Sequence, residues 1–540
     1  MIEKLLENWL DSASERSYQA VFVQMLSAQD YRVLHSTRHT AIEYGKDVLA
    51  IDPNGMGCAF QLKGNPQGRV TLEQFRSGIQ PQLIQLMSQA IVFPGFPDPP
   101  YKVYLVSNGY FEEEVQRAVD DLNKMPYPSK VSLLSRGDLL DWCKKFGTIL
   151  WPSELDDSRS LIELFMAESN DILPAKKLSK LIGKILDIES LDAKLSSKSA
   201  FNRAVTSAAL LTGIATANFA EAENHFAVVS AWTILSVSII ASGEKHQHKI
   251  DGSALKTLQL AEAAIVDSLS QLWNEVMNRN HLVEGNGFSD PDVYGWRYTT
   301  LLGLLSILAF IDEKCSCLTQ ESRDKLKEWL RRPHENIDFW GEGAIANLVP
   351  WLLWFRKNDA TIWPDILIKY ILKIVLNRNQ KKSVSPLASP YYTYEEIYRL
   401  KMIPVMPWQM KAYSYKEAAG FTYTAEPLLH LLIRTNLKQA CKELWPSFNK
   451  VSHRVCIPDQ TWEYCTLKIE TGIDQIKVYP PTYNWADLKC EALQPRDSVI
   501  PREIAERPWL LALWWQVAPY RYTSDSSRTF VEKVLPGWSS

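Results

Sequence analysis

The sequence predicts an α/β domain over residues 1–150, a mixed central sheet flanked by helices, followed by a large mainly α-helical region. Three observations carry this expectation. Before residue 150, short apolar runs of strand length alternate with stretches at helical spacing, the order that builds a sheet covered by helices. Two of those runs are separated only by Asp52-Pro53-Asn54-Gly55-Met56-Gly57, a cluster of turn formers that reads as a hairpin. After residue 160 the runs lengthen to mostly about 12 to 20 residues with short polar joints, the mark of a helical array.

The elements follow in order. Residues 1–28 read as helical, with Ser12 or Ser14 as cap and Tyr18, Phe22, Met25 and Leu26 as the apolar stripe. Tyr31 to His35 is a short strand, and a polar loop containing His39 leads to Glu43. The hairpin pairs Asp47–Ile51 with Cys58–Lys63, and Gly64-Asn65-Pro66-Gln67-Gly68 breaks the chain. Val70 to Ala90 reads as a helix with Leu72, Phe75, Ile79, Leu83 and Leu86 on one face. After the rigid FPGFPDPP connector come the strand Tyr101–Ser107, a turn, the helix Glu112–Asn123, the strand Lys130–Leu134 and the helix Leu139–Lys145.

The hairpin carries the chemistry. Residues two apart on a strand share a face, so Gln61 and Lys63 project together while Phe60 and Leu62 point into a core. Pairing in register brings Asp47 close to both. A carboxylate, an amide oxygen and an ammonium on one face are costly to bury unpaired. They suit a hard divalent cation with oxygen ligands held beside a phosphodiester. An ordinary hairpin with a surface Asp and Lys is the plainer alternative. Glu15, one turn before Tyr18, complements the helix macrodipole.

Asp47 followed by Gln61-x-Lys63 resembles the D…QxK variant of the PD-(D/E)XK nuclease core, found in Mrr-like restriction endonucleases and bacterial phage-defence effectors. YLVSNGYFEEEV resembles the strand-turn-helix of those domains, and VSLLSRGDLLDW their closing strand and helix. The likeness covers about residues 10–146. It implies a restriction-endonuclease-like fold and a Mg2+-dependent (or Mn2+-dependent) DNA endonuclease. It also implies Asp47, Gln61 and the Leu62 carbonyl as metal ligands, Lys63 as the catalytic cation, and Glu15 as an auxiliary acid. Gln61 departs from the commoner Glu and lowers the charge of the site. Glu43 and Asp52 are further acids near Asp47, with their roles left open.

Composition bounds the rest. A chain of 540 residues with 46% hydrophobic and 22% charged residues is a soluble, multi-domain protein. The net charge of −3, and 15 Lys/Arg against 17 Asp/Glu in the first 150 residues, give no global basic field for DNA. Eight scattered cysteines without metal-ligand spacing fit a reducing cytoplasm. Phe226–Ala241, the longest apolar run, is shorter than a membrane span and reads as a core helix, so no membrane partner is expected.

Domain boundaries are expected near 150 and 382. Residues 151–382 form the helical array, and 383–540 a Pro- and aromatic-rich region with a small β-insertion between Arg454 and Tyr479. The loop Lys245–Lys249 reads as solvated. The nineteen tryptophans read mostly as core. The expected partners are DNA, a second copy of the chain or a partner defence protein. A non-catalytic scaffold for nucleic acid or protein, and a nuclease acting on RNA, are the alternatives.

Overall fold

The computed structural model describes residues 7, 10, 11, 13, 15–29, 31–36, 47–66, 68–150, 163, 164, 167, 172–188, 195–279, 291–332, 337–358, 363–383, 385–392, 396, 397, 419–467, 475–494 and 499–538. Glu43, His39, the caps Ser12 and Ser14 and the linker 151–160 lie outside them. The chain forms two compact units, residues 1–231 with 246–261, and 232–245 with 262–540.

The first unit is built on a mixed five-stranded sheet, as expected from the sequence. Helix α1 (Glu15–Ala28) precedes β1 (Arg32–Ser36), β2 (Val48–Ile51) and β3 (Gly57–Lys63). A short β4 (Arg69–Val70) leads into a helix over residues 72–88 (α2), in which a π-turn, Phe75–Ile79, precedes the segment Gln80–Ser88. Then come β5 (Lys102–Ser107), β6 (Tyr110–Phe111), α3 (Glu113–Lys124), β7 (Lys130–Leu134) and α4 (Arg136–Leu150). The sheet order is β1-β2-β3-β5-β7, antiparallel through β3 and parallel from β3 to β7. Val70 was expected to begin a helix. It pairs instead with Phe111 in a two-stranded parallel ribbon, because Thr71 caps the helix one residue later in a reciprocal box with Gln74.

Both faces of the sheet are covered, and β3 is buried from Gly57 to Leu62. On one face Leu49, Ala59, Val103 and Leu105 pack with Phe75, Ile79 and Leu83 of α2 and Val115, Val119 and Leu122 of α3. On the other, Phe60 stacks on Tyr104 at 4.8 Å and meets Phe22 of α1 edge-on at 5.3 Å. A long helix, α5 (Lys198–Glu221), packs against α1 and α4.

The C-terminal ends of β3 and β5 are tied together. The Asn108 side chain, fully buried, accepts the Asn65 N–H at 2.8 Å and donates to the carbonyls of Leu10 and Ala13 at 2.8 and 2.7 Å. Gly109 beside it lies so close to the 65–68 loop that an added Cβ would stand 2.5 Å from the Asn65 carbonyl oxygen and 2.6 Å from that of Gly68.

The second unit is mainly helical, with a small sheet that pairs Ser452–Val455 with Gln475–Lys477 and with Phe421–Thr422. Residues 464–470 were expected to add a strand; their first part belongs to a 3-10 turn, Thr461–Cys465, and 468–470 lie outside the described residues. Glu342, buried, accepts hydrogen bonds from the Thr422 and Thr424 hydroxyls, the Tyr423 and Thr424 N–H groups and the Asn379 amide, which replace its lost hydration. Trp273, Trp296, Trp351, Trp354, Trp514 and Trp515 are fully buried.

Two helices, His225–Lys245 and Tyr294–Cys315, are long and apolar enough to cross a membrane; 94% and 83% of their apolar windows are buried inside the protein, as in core helices. The loop after the first was expected to be solvated. Gln247 and Lys249 are exposed, but the His246 side chain is 2% exposed, with Nε2 3.2 Å from the Asp187 carbonyl, and His248 Nε2 lies 2.7 Å from that of Leu195. Backbone carbonyls that a sequence does not display hold both rings.

The contact at Gly109 is between backbones, so neither side can yield. Gly109→Ala is expected to cost about 1–3 kcal/mol and to lower the first thermal transition. Gly78→Ala, on an exposed turn of α2 with nothing within 4 Å, is the control. It should leave that transition unchanged or raise it by up to ~1 kcal/mol. Equal responses in calorimetry would refute the close-approach account.

Candidate active site

Antiparallel pairing fixes where the predicted residues fall. Val48 stands opposite Phe60 and Leu49 opposite Ala59, and the pairing of the two strands ends with Val48. The Asp47 N–H donates to the Phe60 carbonyl at 2.9 Å, so Asp47 and Val48 both adjoin Phe60 where the ladder ends. The Asp47 carboxylate then reaches past the end of the pairing to accept the Leu62 N–H at 2.6 Å. The N–H and C=O of one strand residue point to the same edge, so the Leu62 carbonyl is directed to the side where the Asp47 carboxylate lies.

Gln61 is 1% exposed, on the face that packs against α2. Its Nε2 donates to Oε1 of Gln82 on α2, while its own Oε1 is buried without a hydrogen-bond partner. Such an orphaned acceptor costs on the order of 1–3 kcal/mol. Lys63, half-buried, follows on the same face by strand alternation, and its ammonium makes no ion pair among the described residues. The Asp47 carboxylate is therefore bound to the backbone of Leu62, with Gln61 and Lys63 on either side of that residue along β3. This donor set, a carboxylate, an amide oxygen in want of a partner and a carbonyl, fits a hard divalent cation.

Glu15 opens α1, and its carboxylate accepts the Gly64 N–H at 3.0 Å. The approach is close: a Cβ on Gly64 would lie 2.7 Å from the Glu15 nitrogen. Glycine at the end of β3 thus lets the N-terminus of α1 sit on the strand end. One turn on, the fully buried Tyr18 hydroxyl accepts the Lys63 N–H at 3.0 Å and lies 3.2 and 3.3 Å from the carbonyls of Lys63 and Val106. Burial raises the Tyr18 pKa well above the usual phenol value, and the charges of Glu15 and Asp47 raise it further. The phenol stays protonated as a fixed pin between β3 and β5.

Asp52 is at the other end of the hairpin, about 17 Å along the strand from Asp47 at strand rise. Its Oδ1 accepts the N–H groups of Asn54 and Met56, both at 2.9 Å, and Oδ2 pairs with the Lys102 ammonium at 2.9 Å. Burial alone would raise its pKa. The Lys102 ammonium and the two N–H donors outweigh burial and lower it. Asp52 closes the turn and takes no part in the site.

Reading the sequence passed over Gln82 and the Tyr18 hydroxyl. Gln82 carried one signal, a polar residue three places after Ile79 and beside Leu83, at the edge of the apolar stripe. Tyr18 carried none, since its ring fits that stripe.

A second cluster lies in the other unit. Glu426 and His430, one turn apart on the helix Ala425–Arg434, and Glu491 bring one ligand atom each within 4.8 Å of one another. The Lys477 ammonium pairs with Glu426 at 3.1 Å and with Glu491, and the Tyr479 hydroxyl donates to Glu491 at 3.1 Å. The ammonium supplies the cation between the two carboxylates, and their charges keep it protonated against burial.

Comparisons with protein-family models, with curated proteins and with solved structures find no match to this chain.

Because the Asp52 pKa is lowered on folding, its contribution is fully present above the usual value near 3.9 and is lost as pH falls through the lower folded value. Asp52→Asn is expected to destabilise the first unit by about 1–3 kcal/mol at pH 7. Stability curves from pH 7 to 2.5 should converge as the wild-type carboxylate is protonated. A constant gap across that range would show that the charge is not what matters.

Proposed function

We propose that the first unit is a metal-dependent DNA endonuclease, of the Mrr-like kind that the D…QxK spacing resembles. The reading rests above all on the Asp47 carboxylate reaching the N–H of Leu62, the residue after Gln61, whose own buried Oε1 has no hydrogen-bond partner. Asp47, Gln61 and the Leu62 carbonyl would hold Mg2+ or Mn2+. Bound there, the ion would supply charge to polarise a phosphoryl oxygen and to acidify a water.

The remaining roles belong to the chain. Lys63 presents a positive charge from the strand that carries Gln61 and offsets negative charge building on the attacked phosphate. Glu15, anchored on Gly64, offers a carboxylate near the end of β3 that can orient a water or join the ligand set. Tyr18 holds the β3 and β5 ends at fixed spacing, so these groups do not have to be ordered during the reaction. The strand ends are where open α/β sheets take ligands.

The helical remainder is proposed as the part that gates or targets cleavage. An ungated nuclease without a protecting methyltransferase would attack its own genome. This constraint is the basis for assigning the chain to phage defence, acting on DNA in the cytoplasm.

The test is cleavage of supercoiled plasmid by the full chain with Mg2+ or Mn2+, beside Asp47→Ala and Lys63→Ala. The wild type should nick or cut, and each variant should lose roughly 100-fold or more. Single-stranded RNA in a parallel reaction separates a ribonuclease from a DNA enzyme. Cleavage that survives Asp47→Ala, or no cleavage together with no Asp47-dependent toxicity in cells, would leave the non-catalytic scaffold as the better reading.

A further inference from the structure

The site holds an asymmetry that a carboxylate would not have. The two oxygens of a Glu are equivalent, so either can face a cation. The amide of Gln61 has one end that can ligate and one that repels, and a half-turn about its last bond exchanges them. In the structure Nε2 donates to Oε1 of Gln82, which leaves Oε1 of Gln61 to the side without a donor. We propose that Gln82 is the positioning residue that sets this orientation, turning a neutral amide into a dependable oxygen ligand. The inference rests on the nuclease reading of the same site.

Two observations on α2 support it. Gln82 lies between Ile79 and Leu83, both packed in the core on this face of the sheet, so its backbone cannot drift. The π-turn Phe75–Ile79 ends three residues before it. A π-turn takes in one extra residue, and each residue turns the helix by about 100°. Everything after the turn, Gln82 included, is thereby rotated relative to a regular helix entering from Leu72. Without that rotation another side chain would face Gln61.

Gln82 is itself an amide and could turn over with Gln61, which makes the acceptor character of its inward atom the quantity to change. Gln82→Glu can only accept and should hold Gln61 in the ligating sense. Gln82→Leu can neither accept nor donate. The measurement is Mn2+ affinity of the full chain, read from the electron paramagnetic resonance of free Mn2+, with circular dichroism to confirm folding and Asp47→Ala to define binding at this site. The Leu variant should bind Mn2+ about tenfold or more weakly, the usual effect of losing a residue that orients a ligand, and the Glu variant at least as tightly as wild type.

The deciding comparison is the same pair of changes in a Gln61→Glu background. There the ligand is symmetric, so Gln82→Leu should change Mn2+ affinity less than twofold. An equal loss in both backgrounds, or no loss in either, would overturn the orienting role while leaving the metal site standing. Failure of the wild type to bind Mn2+ in any Asp47-dependent way would overturn the site itself, and the inference with it.

Discussion

A sheet covered on both faces leaves no water for the side chains of its central strands, and the first unit is organised by how β3 meets that constraint. Gly57 to Phe60 comply by being small or apolar, and Phe60 fills the aromatic face against Phe22 and Tyr104. Gln61 does not comply. It is buried to 1% exposure, shares one of its two polar ends with Gln82, and keeps the other without a hydrogen-bond partner. Folding proteins seldom keep such a group, because the alternative of an apolar residue at the same position removes the cost entirely. Its retention in the middle of an otherwise regular strand is what distinguishes this place from the rest of the sheet.

The surroundings hold that place still. Tyr18 joins the ends of β3 and β5, Asn108 ties the chain after β3 to the segment before α1, and Gly64 and Gly109 remove the side chains that would keep these backbones apart. None of these contacts adds a reactive group. Each one shortens the range of positions that Asp47, Leu62 and Lys63 can take relative to one another. A ligand set of low charge depends on this more than a highly charged one does, since it has less attraction with which to pull its own members into place.

The order of strands and helices up to residue 150 was legible because each element carries its own period, and the turn formers between Ile51 and Cys58 set the hairpin register. That register brought the Asp47 carboxylate to the Leu62 N–H, a contact between residues fifteen apart. What escaped was whatever depends on contacts between distant elements. Gln82 is twenty-one residues from Gln61 and approaches it through a π-turn, which leaves no periodicity to read. Asp52 lay open as an acid near Asp47 until the Lys102 pairing, fifty residues away, placed it in the turn. His246 and His248 read as solvated because the Asp187 and Leu195 carbonyls that hold them are backbone atoms, which every residue has. Val70 shows the same limit at short range: its apolar side chain fits a helix or a strand, and the Thr71 cap decides.

On the nuclease reading, the exchange of a carboxylate for an amide has a consequence beyond geometry. Asp47 alone would bring one negative charge to a doubly charged ion, and Lys63 on the same face would return one positive charge. Mg2+ parts reluctantly with its water and is usually held by one or two carboxylates together with substrate phosphates. With so little negative charge among its ligands, the site would be strengthened by the phosphate of the nucleic acid, so that metal and substrate would each raise the affinity of the other by the same factor. Such a centre would hold its ion weakly, and stay inactive, until a phosphodiester is delivered to it. Control could then be exercised by any part of the chain that governs delivery, without a change at the metal ligands. A nuclease that must spare its own genome would gain by this arrangement, and on that reading Gln61 in place of a Glu would supply it.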